Sequence, residues 1–438
     1  MESQPTVQYI RPTPELPTFA SSAMIRTLQF FHREQEAGSL SGKSPVHRSG
    51  SSPRLSVHHT VRTIRNYPGH TGSVFTSRAY FLALEEGGPE NVVYRYVCVH
   101  DGDELIGVFH FQLIPVNRKN LLSRIRDRPY HRLFSVLSRM LDILLCNNLV
   151  SSRKNVLLIS GNACITGPYG LACEQGNESR MASCLNDAIT LVQGETESAF
   201  KVIGMVTKDY PEGHNPHRKL ISHRRFMRLH MDAVMNMEIR EQWSELADYA
   251  GDLSSKYRMR FNKAVKKIEK CEWKELDEEA MQTSRKAIDN LYLQVQENAP
   301  LRLVDNSASY LISLKRHLKK DVRFMALYEN GKMLAFITAV RNGGELEAHH
   351  IGFDYAINKS HSLYLNILYA YVGLAIDLKC RSLCMGRTAM EIKSTVGAVP
   401  CDFETHLRLE NPVLNSWVRW MLPEKKGQRD WTQRNPFR

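Results

Sequence analysis

The sequence predicts an α/β (α+β) chain of two similar modules joined by a helical connector. Three observations predict it. A β-hairpin, a third strand, a helix and a further strand follow one another in that order twice along the chain. Each copy marks its first turn with residues suited to positive φ, Asp101-Gly102-Asp103 in one and Asn330-Gly331 in the other. At 438 residues the chain is too long for one compact core.

Residues 1–70 are rich in Ser, Pro, His and Arg, and the stretch from Ser39 to Ser56 has few core-forming side chains. This predicts a disordered or loosely attached arm. Pro5, Pro12, Pro14 and Pro17 interrupt the first residues, and no continuous apolar run marks a signal peptide.

Residues 71–240 read as the first module. Phe75 to Leu84 predicts a helix, and Tyr94–Val99 with Leu105–Leu113 predicts the hairpin. A helical insertion follows over Asn120 to Asn148, broken at Pro129. Arg124, Arg126, Arg128 and Arg132 make it basic and amphipathic: a solvated face over the core, or a membrane-surface or RNA contact. Val156–Ser160 reads as a buried strand, Gly167-Pro-Tyr-Gly170 as a turn, Ser179–Val192 as a helix and Phe200–Val206 as a strand.

Residues 241–320 read as a basic helical connector. Lys256, Arg258, Arg260, Lys263, Lys266 and Lys267 surround one helix, with Tyr257, Phe261 and Ala264 among its apolar contacts. Residues 321–438 read as the second module with a tail. Its hairpin is Val322–Tyr328 and Met333–Val340, and its third strand is Glu345–Phe353. Leu363, Ile367, Tyr371, Leu374 and Leu378 share one helix face. Arg381–Met385 predicts a short strand and residues 402–409 a final one.

Composition narrows the classes. Apolar residues are 42% and charged residues 24%, as in soluble globular proteins. The net charge of +12 favours anionic partners. Nine scattered cysteines without a Cys-x-x-Cys pair point to reduced thiols in a cytoplasm, and no metal site is expected. The most apolar helical stretch, Phe134 to Val150, contains Arg139 and Asp142 and is short for a bilayer, so no transmembrane segment is expected.

The second copy resembles the GNAT acyltransferase superfamily, in its paired-GNAT, FemAB-like branch with the BioF-like acetyltransferase-domain relatives. Tyr328-Glu-Asn-Gly-Lys-Met-Leu-Ala335 is similar to the branch's first hairpin. Ile351-Gly-Phe-Asp354 with Asn358-Lys-Ser-His-Ser-Leu-Tyr364 is similar to its central strand and helix entry. Met385-Gly-Arg-Thr-Ala-Met-Glu-Ile-Lys393 with Gly397 is similar to its strand-end glycine, lysine and second glycine. The resemblance spans residues 73–415 and implies two tandem GNAT-like modules, each a mixed, mostly antiparallel sheet flanked by helices. It also implies an N-acyltransferase moving an acyl or aminoacyl group to a small-molecule or peptide amine. The glycine-rich pyrophosphate loop of acetyl-CoA-using relatives does not precede Leu363. The donors implied are therefore acyl-CoA, acyl-carrier or aminoacyl-tRNA in general, with tRNA as one partner and without a metal.

That chemistry needs a held donor, a base and an oxyanion stabiliser. Asn358, Lys359, Ser360 and Ser362 stand at a helix start that suits a donor phosphate, or that is a plain cap. Lys393, on a helix expected to begin near Thr388, is a candidate for phosphate or oxyanion stabilisation, or else a surface lysine. Arg387 suits a carboxylate or phosphate, or pairs with Glu391. Alternation places His349 and His350 on opposite faces, one of them a candidate base, with Glu347 and Asp354 as alternatives. Tyr257 and Arg258 are candidates to line a groove for an anionic substrate. The competing reading is a GNAT scaffold without catalysis that binds an anionic ligand or nucleic acid.

Overall fold

The computed structural model describes residues 53–68, 72–116, 153–212, 221, 226–299, 304–421 and 431–437. The basic helix expected over residues 120–148 lies outside them.

In chain order, β1 (Arg54–His58) precedes α1 (Arg78–Gly87), whose start is fixed by Ser77 accepting from the Tyr80 N–H at 3.2 Å. β2 (Val93–Asp101) and β3 (Glu104–Pro115) form the first hairpin, and Gly102 takes the positive φ the turn needs, 58°. β4 (Lys154–Ser160), β5 (Leu171–Cys173), α2 (Glu178–Thr196) and β6 (Phe200–Pro211) follow, then β7 (Met227–Leu229) and β8 (Val234–Glu238). The connector supplies α3 (Leu246–Asp252), α4 (Ser255–Lys266), β9 (Glu272–Glu275), α5 (Glu278–Thr283), α6 (Arg285–Glu297) and α7 (Ala308–Leu318).

β10 (Val322–Glu329) and β11 (Lys332–Asn342) form the second hairpin; Asn330 and Gly331 both have positive φ, 49° and 78°, as a two-residue I′ turn requires. β12 (Glu345–Phe353), α8 (Asn358–His361), α9 (Leu363–Asp377), β13 (Ser382–Cys384), α10 (Met390–Ser394), β14 (Val399–Cys401), β15 (Phe403–Leu409) and α11 (Pro412–Met421) complete the chain order.

The strands form two mixed, mostly antiparallel sheets. The first has the order β1-β2-β3-β4-β6-β15-β7, with β5 on β3; the second has the order β14-β8-β13-β12-β11-β10-β9. Both copies share one plan. The third strand is antiparallel to the hairpin, and the strand after the helix is parallel to the third: β4 with β6, and β12 with β13.

Three expectations change. The arm was expected to run to residue 70, but β1 begins at Arg54 and pairs with β2 through Val57 opposite Val97. The strand at 402–409 does not close the second sheet: β15 pairs with β6 and β7 in the first. Conversely, β8 from the first half pairs with β13 and β14 in the second sheet. Each sheet thus takes an edge-covering strand from the other half of the chain, which satisfies backbone groups that would otherwise stand open.

The layers follow from the apolar faces. α2 covers the outer face of the first sheet, with Met181, Leu185 and Val192 against Val97, Phe109 and Phe111. α9 covers the outer face of the second, with Leu363 and Ile367 packed with Leu346 and Ile337. Between the sheets, Tyr80, Phe81 and Leu84 of α1 and Tyr310, Leu311 and Leu314 of α7 share one core with Tyr96 of the first sheet and Phe324 and Phe336 of the second. The inner faces of both sheets therefore meet a common helical layer.

Candidate active site

The inner face of β12 carries the chemistry. The pairing of β11 with β12 slips between Thr338 and Ala339: Thr338 lies opposite His350 and Ala339 opposite Ala348, leaving His349 as an extra residue. This is a β-bulge. Before it, Leu346 and Ala348 pack toward α9; after it, Ile351 and Phe353 do. The parity of the strand flips at the bulge, so Glu345, Glu347, His349 and His350 all face inward. The expectation of one histidine per face is corrected: the two rings lie 4.2 Å apart. Simple alternation fails because the extra residue shifts the period by one.

Thr338 locks this geometry. Its Oγ1 accepts from the His350 N–H at 2.9 Å and donates to the His350 carbonyl at 3.1 Å. From α9, the Tyr371 hydroxyl reaches the carbonyls of Thr338 and His350 at 3.0 and 3.1 Å. A polar chain then runs between the sheets. His349 Nε2 lies 3.2 Å from the Tyr310 hydroxyl, which lies 2.9 Å from that of Tyr80. Asn162 Nδ2 donates to Tyr80 at 3.0 Å, and Gln112 of β3 donates to Asn162 at 3.3 Å. His350 Nδ1 meets the Tyr292 hydroxyl at 3.0 Å, while its Nε2 is buried without a partner among the described residues. Burial lowers His350 to about 4, and burial with the neighbouring His350 holds His349 well below the ordinary imidazole value. Both rings are neutral near pH 7.

Glu347 is buried, 4% exposed. Desolvation, then the neighbouring Glu345, pushes its carboxyl well above the usual range; a hydrogen bond with Cys384 and the charges of Lys393 and Lys208 oppose this without cancelling it. Lys393 is not a surface lysine: it is 5% exposed, and burial lowers it to about 8. Its Nζ donates to the carbonyls of Arg387 at 2.6 Å and Gly386 at 3.3 Å. These bonds close a loop in which Gly386, Thr388 and Ala389 have φ of 67°, 67° and 49°. The left-handed residues also explain why α10 begins at Met390 and not near Thr388. Holding two non-glycine residues there stores strain on the order of 1 kcal/mol or more each.

Arg387 does not pair with Glu391, which binds Arg434 at 2.5 Å. Its Nη2 reaches Asp209 Oδ1 of β6 at 2.7 Å and its Nη1 donates to the Asp232 carbonyl. Asp209 also accepts from Thr405 of β15 at 2.9 Å and pairs with Lys208. A carboxylate this buried needs such cations, so Arg387 is committed to it. The sequence reading missed Lys208, Asp209, Cys384, Tyr80 and Tyr310. The local signal was a charged pair, Lys208-Asp209, near the end of a mostly apolar strand.

The pairing of β12 with β13 ends at this point. β13 pairs with β12 only from Glu345 opposite Ser382 to Glu347 opposite Cys384; β12 then continues to Phe353 while β13 ends. In the first sheet β4 and β6 stay paired from Lys154 opposite Phe200 to Ser160 opposite Thr207. In both copies, then, one parallel strand outruns its partner: β6 continues past Thr207 to Pro211, as β12 continues past Glu347 to Phe353.

The other candidates lie elsewhere. Asn358, Lys359, Ser360 and Ser362 form the turn before α9. Asn358 Oδ1 accepts from the Tyr364 N–H at 3.0 Å, and Ser360 Oγ donates to the Ile357 carbonyl at 2.9 Å. Lys267 Nζ donates to the Lys359 carbonyl at 2.7 Å and to Ser362 Oγ at 3.0 Å, adding a cation to this turn. Asp354 caps the end of β12 by accepting from the Ala356 N–H at 3.0 Å. Tyr257 and Arg258 begin α4, where Tyr257 packs into the core on the outer face of the second sheet and Arg258 donates to the Leu253 carbonyl at 3.3 Å. They are not brought together with Glu347.

No protein-family model matches the sequence, and no curated protein matches it. Among solved structures, the chain is similar to FemX, with a TM-score of 0.48 and 10% identity over 81% of this chain and 96% of that one. It is also similar to a tandem GNAT protein from the clavulanic acid biosynthesis pathway, with a TM-score of 0.44 and 9% identity over 77% of this chain and 89% of that one. A third is L-PGS from Bacillus licheniformis, with a TM-score of 0.41 and 9% identity over 77% of this chain and 93% of that one. No helix among the described residues is long and apolar enough to cross a membrane.

Proposed function

We propose that the chain is an acyltransferase that moves an acyl or aminoacyl group from a CoA-, carrier- or tRNA-linked donor to a small-molecule or peptide amine. The observation that carries this is the buried Glu347 carboxyl at the point where the β12–β13 pairing ends, with Lys393 electrostatically coupled to it and two neutral imidazoles further along the same strand face. The neighbours' names, a tandem GNAT protein among them, agree with this class.

The roles follow from the chemistry. An amine attacks only when neutral, so its proton needs an acceptor, and a carboxyl of raised proton affinity serves near neutral pH. Glu347 takes this role in preference to the histidines, whose affinity burial has lowered. The amine nitrogen bonds to the donor's carbonyl carbon and its proton goes to Glu347; as the tetrahedral oxyanion collapses, the bond to the thiol sulfur or ribose oxygen breaks and the leaving group takes that proton from Glu347. Lys393 faces the developing negative charge with the N–H left after its two carbonyl bonds. His350 Nε2, buried and unpartnered, is placed to hydrogen-bond the substrate. Asn358, Lys359, Ser360 and Ser362, joined by Lys267, are proposed to hold the donor's anionic part.

Incubating the full chain with acyl-CoA, acyl-carrier and aminoacyl-tRNA donors and a panel of amines, read by mass spectrometry, tests this. Turnover should rise with pH as Glu347 loses its proton, and Glu347→Gln should abolish that limb and lower kcat by roughly 10²–10⁴. If no donor binds or reacts, and Lys393→Ala changes nothing, the proposal fails. A second reading rests on α4, whose exposed Lys256, Arg260, Lys263 and Lys266 surround Met259 at 70% exposure without an acidic residue in the helix. In that reading the scaffold only binds anions, and steeply salt-dependent RNA binding without turnover would favour it.

A further inference from the structure

Three donor atoms from separate segments meet at the hairpin edge of the second sheet. Cys271 immediately precedes β9, Glu329 ends β10 and His361 ends α8. Cys271 Sγ is 3.9 Å from Glu329 Oε1, and His361 Nε2 is 3.5 Å from Glu329 Oε2. All three donors lie within 4.8 Å of one another, and each residue is half-buried. We propose that Cys271, Glu329 and His361 bind a divalent transition-metal ion, with zinc the ion this donor set favours.

The hydrogen bonds around His361 supply an independent reason. Ser360 Oγ donates its hydrogen to the Ile357 carbonyl at 2.9 Å, so toward His361 Nδ1, 2.8 Å away, it acts as acceptor. The ring proton is then on Nδ1, and Nε2 turns its lone pair toward a carboxylate. In a neutral ring two electron-rich atoms then face each other, an arrangement that a shared metal ion resolves, as a second ring proton would by pairing with Glu329. A hydroxyl that fixes the tautomer in this way is the usual outer partner of a ligating histidine.

The geometry and the donor types agree. Zinc bonds of about 2.0–2.3 Å at tetrahedral angles separate neighbouring ligands by roughly 3.3–3.6 Å. The observed 3.9 and 3.5 Å spacings run to the two different carboxylate oxygens of Glu329 and exceed this by tenths of an ångström each, so rotation of the Glu329 side chain is needed to present one oxygen to both partners. A thiolate, an imidazole and one carboxylate suit zinc, whereas magnesium and calcium select oxygen ligands. Three protein ligands leave a fourth position for water or another donor. The metal would clip the turn before α9 to the β9–β10 edge, fixing residues 358–362 through His361. Nothing local announces this site: Cys271 and Glu329 are 58 residues apart and belong to no spaced motif.

The test is a cobalt titration of the metal-stripped full chain. A thiolate-to-cobalt charge-transfer band with tetrahedral ligand-field absorption should grow to saturation near about one equivalent and vanish on adding zinc. Cys271→Ser should abolish the charge-transfer band, and both it and His361→Gln should weaken zinc binding by roughly 10-fold or more in calorimetry. Cys401→Ser, at a half-buried cysteine on β14, should alter neither. Absence of the band in the unmodified chain overturns the proposal without recourse to any variant. So does a band that survives Cys271→Ser, or one that Cys401→Ser removes equally.

Discussion

Removing Arg387 would isolate a buried charge. Asp209 is 1% exposed, and its carboxylate receives Arg387 at 2.7 Å, Thr405 at 2.9 Å and Lys208. Deleting one partner of a buried pair costs about 3–5 kcal/mol when nothing compensates. Here Lys208 and Thr405 remain, which places Arg387→Met at the low end, about 3 kcal/mol, or on the order of 5 °C in Tm. The pH dependence fixes the sign. Burial pushes the Asp209 carboxyl up, but Lys208, Arg387 and the hydrogen bonds outweigh it and hold the group below its ordinary value. Its stabilisation is therefore present above the unfolded value of about 3.9 and is lost as pH falls through the folded one. In Arg387→Met the folded carboxyl rises, so the deficit should be full near pH 7 and shrink toward pH 4. Thermal unfolding of Arg387→Met, Asp209→Asn and the double variant gives the coupling, expected to be at least about 1 kcal/mol at pH 7. A coupling near zero, or a deficit unchanged between the two pH values, would refute the reasoning.

Two further predictions concern the β11–β12 bulge. Thr338→Val keeps the shape but leaves the His350 N–H and carbonyl without the Thr338 hydroxyl, which should lower stability by about 1–3 kcal/mol in chemical denaturation. Gly352→Ala places a methyl into the Phe336 ring across the strand pair and should cost about 1–3 kcal/mol, an effect that Phe336→Leu in the same chain should relieve in part.

The hairpins were legible because their turn residues act locally: Gly102, Asn330 and Gly331 tolerate the positive φ that a tight turn needs. The order of strands and helices was legible for a similar reason, since each element announces its own period. Glu347, His349, His350 and Lys393 could be named because that order brings the strand at 345–353 next to the segment at 386–393. The bulge at His349 was not legible, because alternation predicts faces only while the pairing register holds. Arg387 and Asp209 lie 178 residues apart, and nothing local in either says that the other is its partner. Whether Lys393 is a site residue or a surface lysine stayed open for the same reason: its burial is decided by the carbonyls of Gly386 and Arg387, which fold back onto it.

The exchange of β8 and β15 between the halves has a consequence for synthesis. β6 is complete at Pro211, but its antiparallel neighbour β15 ends at Leu409. At roughly 5–20 residues per second, the intervening stretch of about 200 residues keeps that flank of β6 uncovered by its native strand for roughly 10–40 s. A nascent chain in this interval presents unpaired backbone beside an apolar face, the condition under which chaperones or neighbouring chains engage it. Fragments ending before residue 403 should accordingly be recovered as aggregates or chaperone complexes, whereas supplying the missing strand in trans should restore solubility.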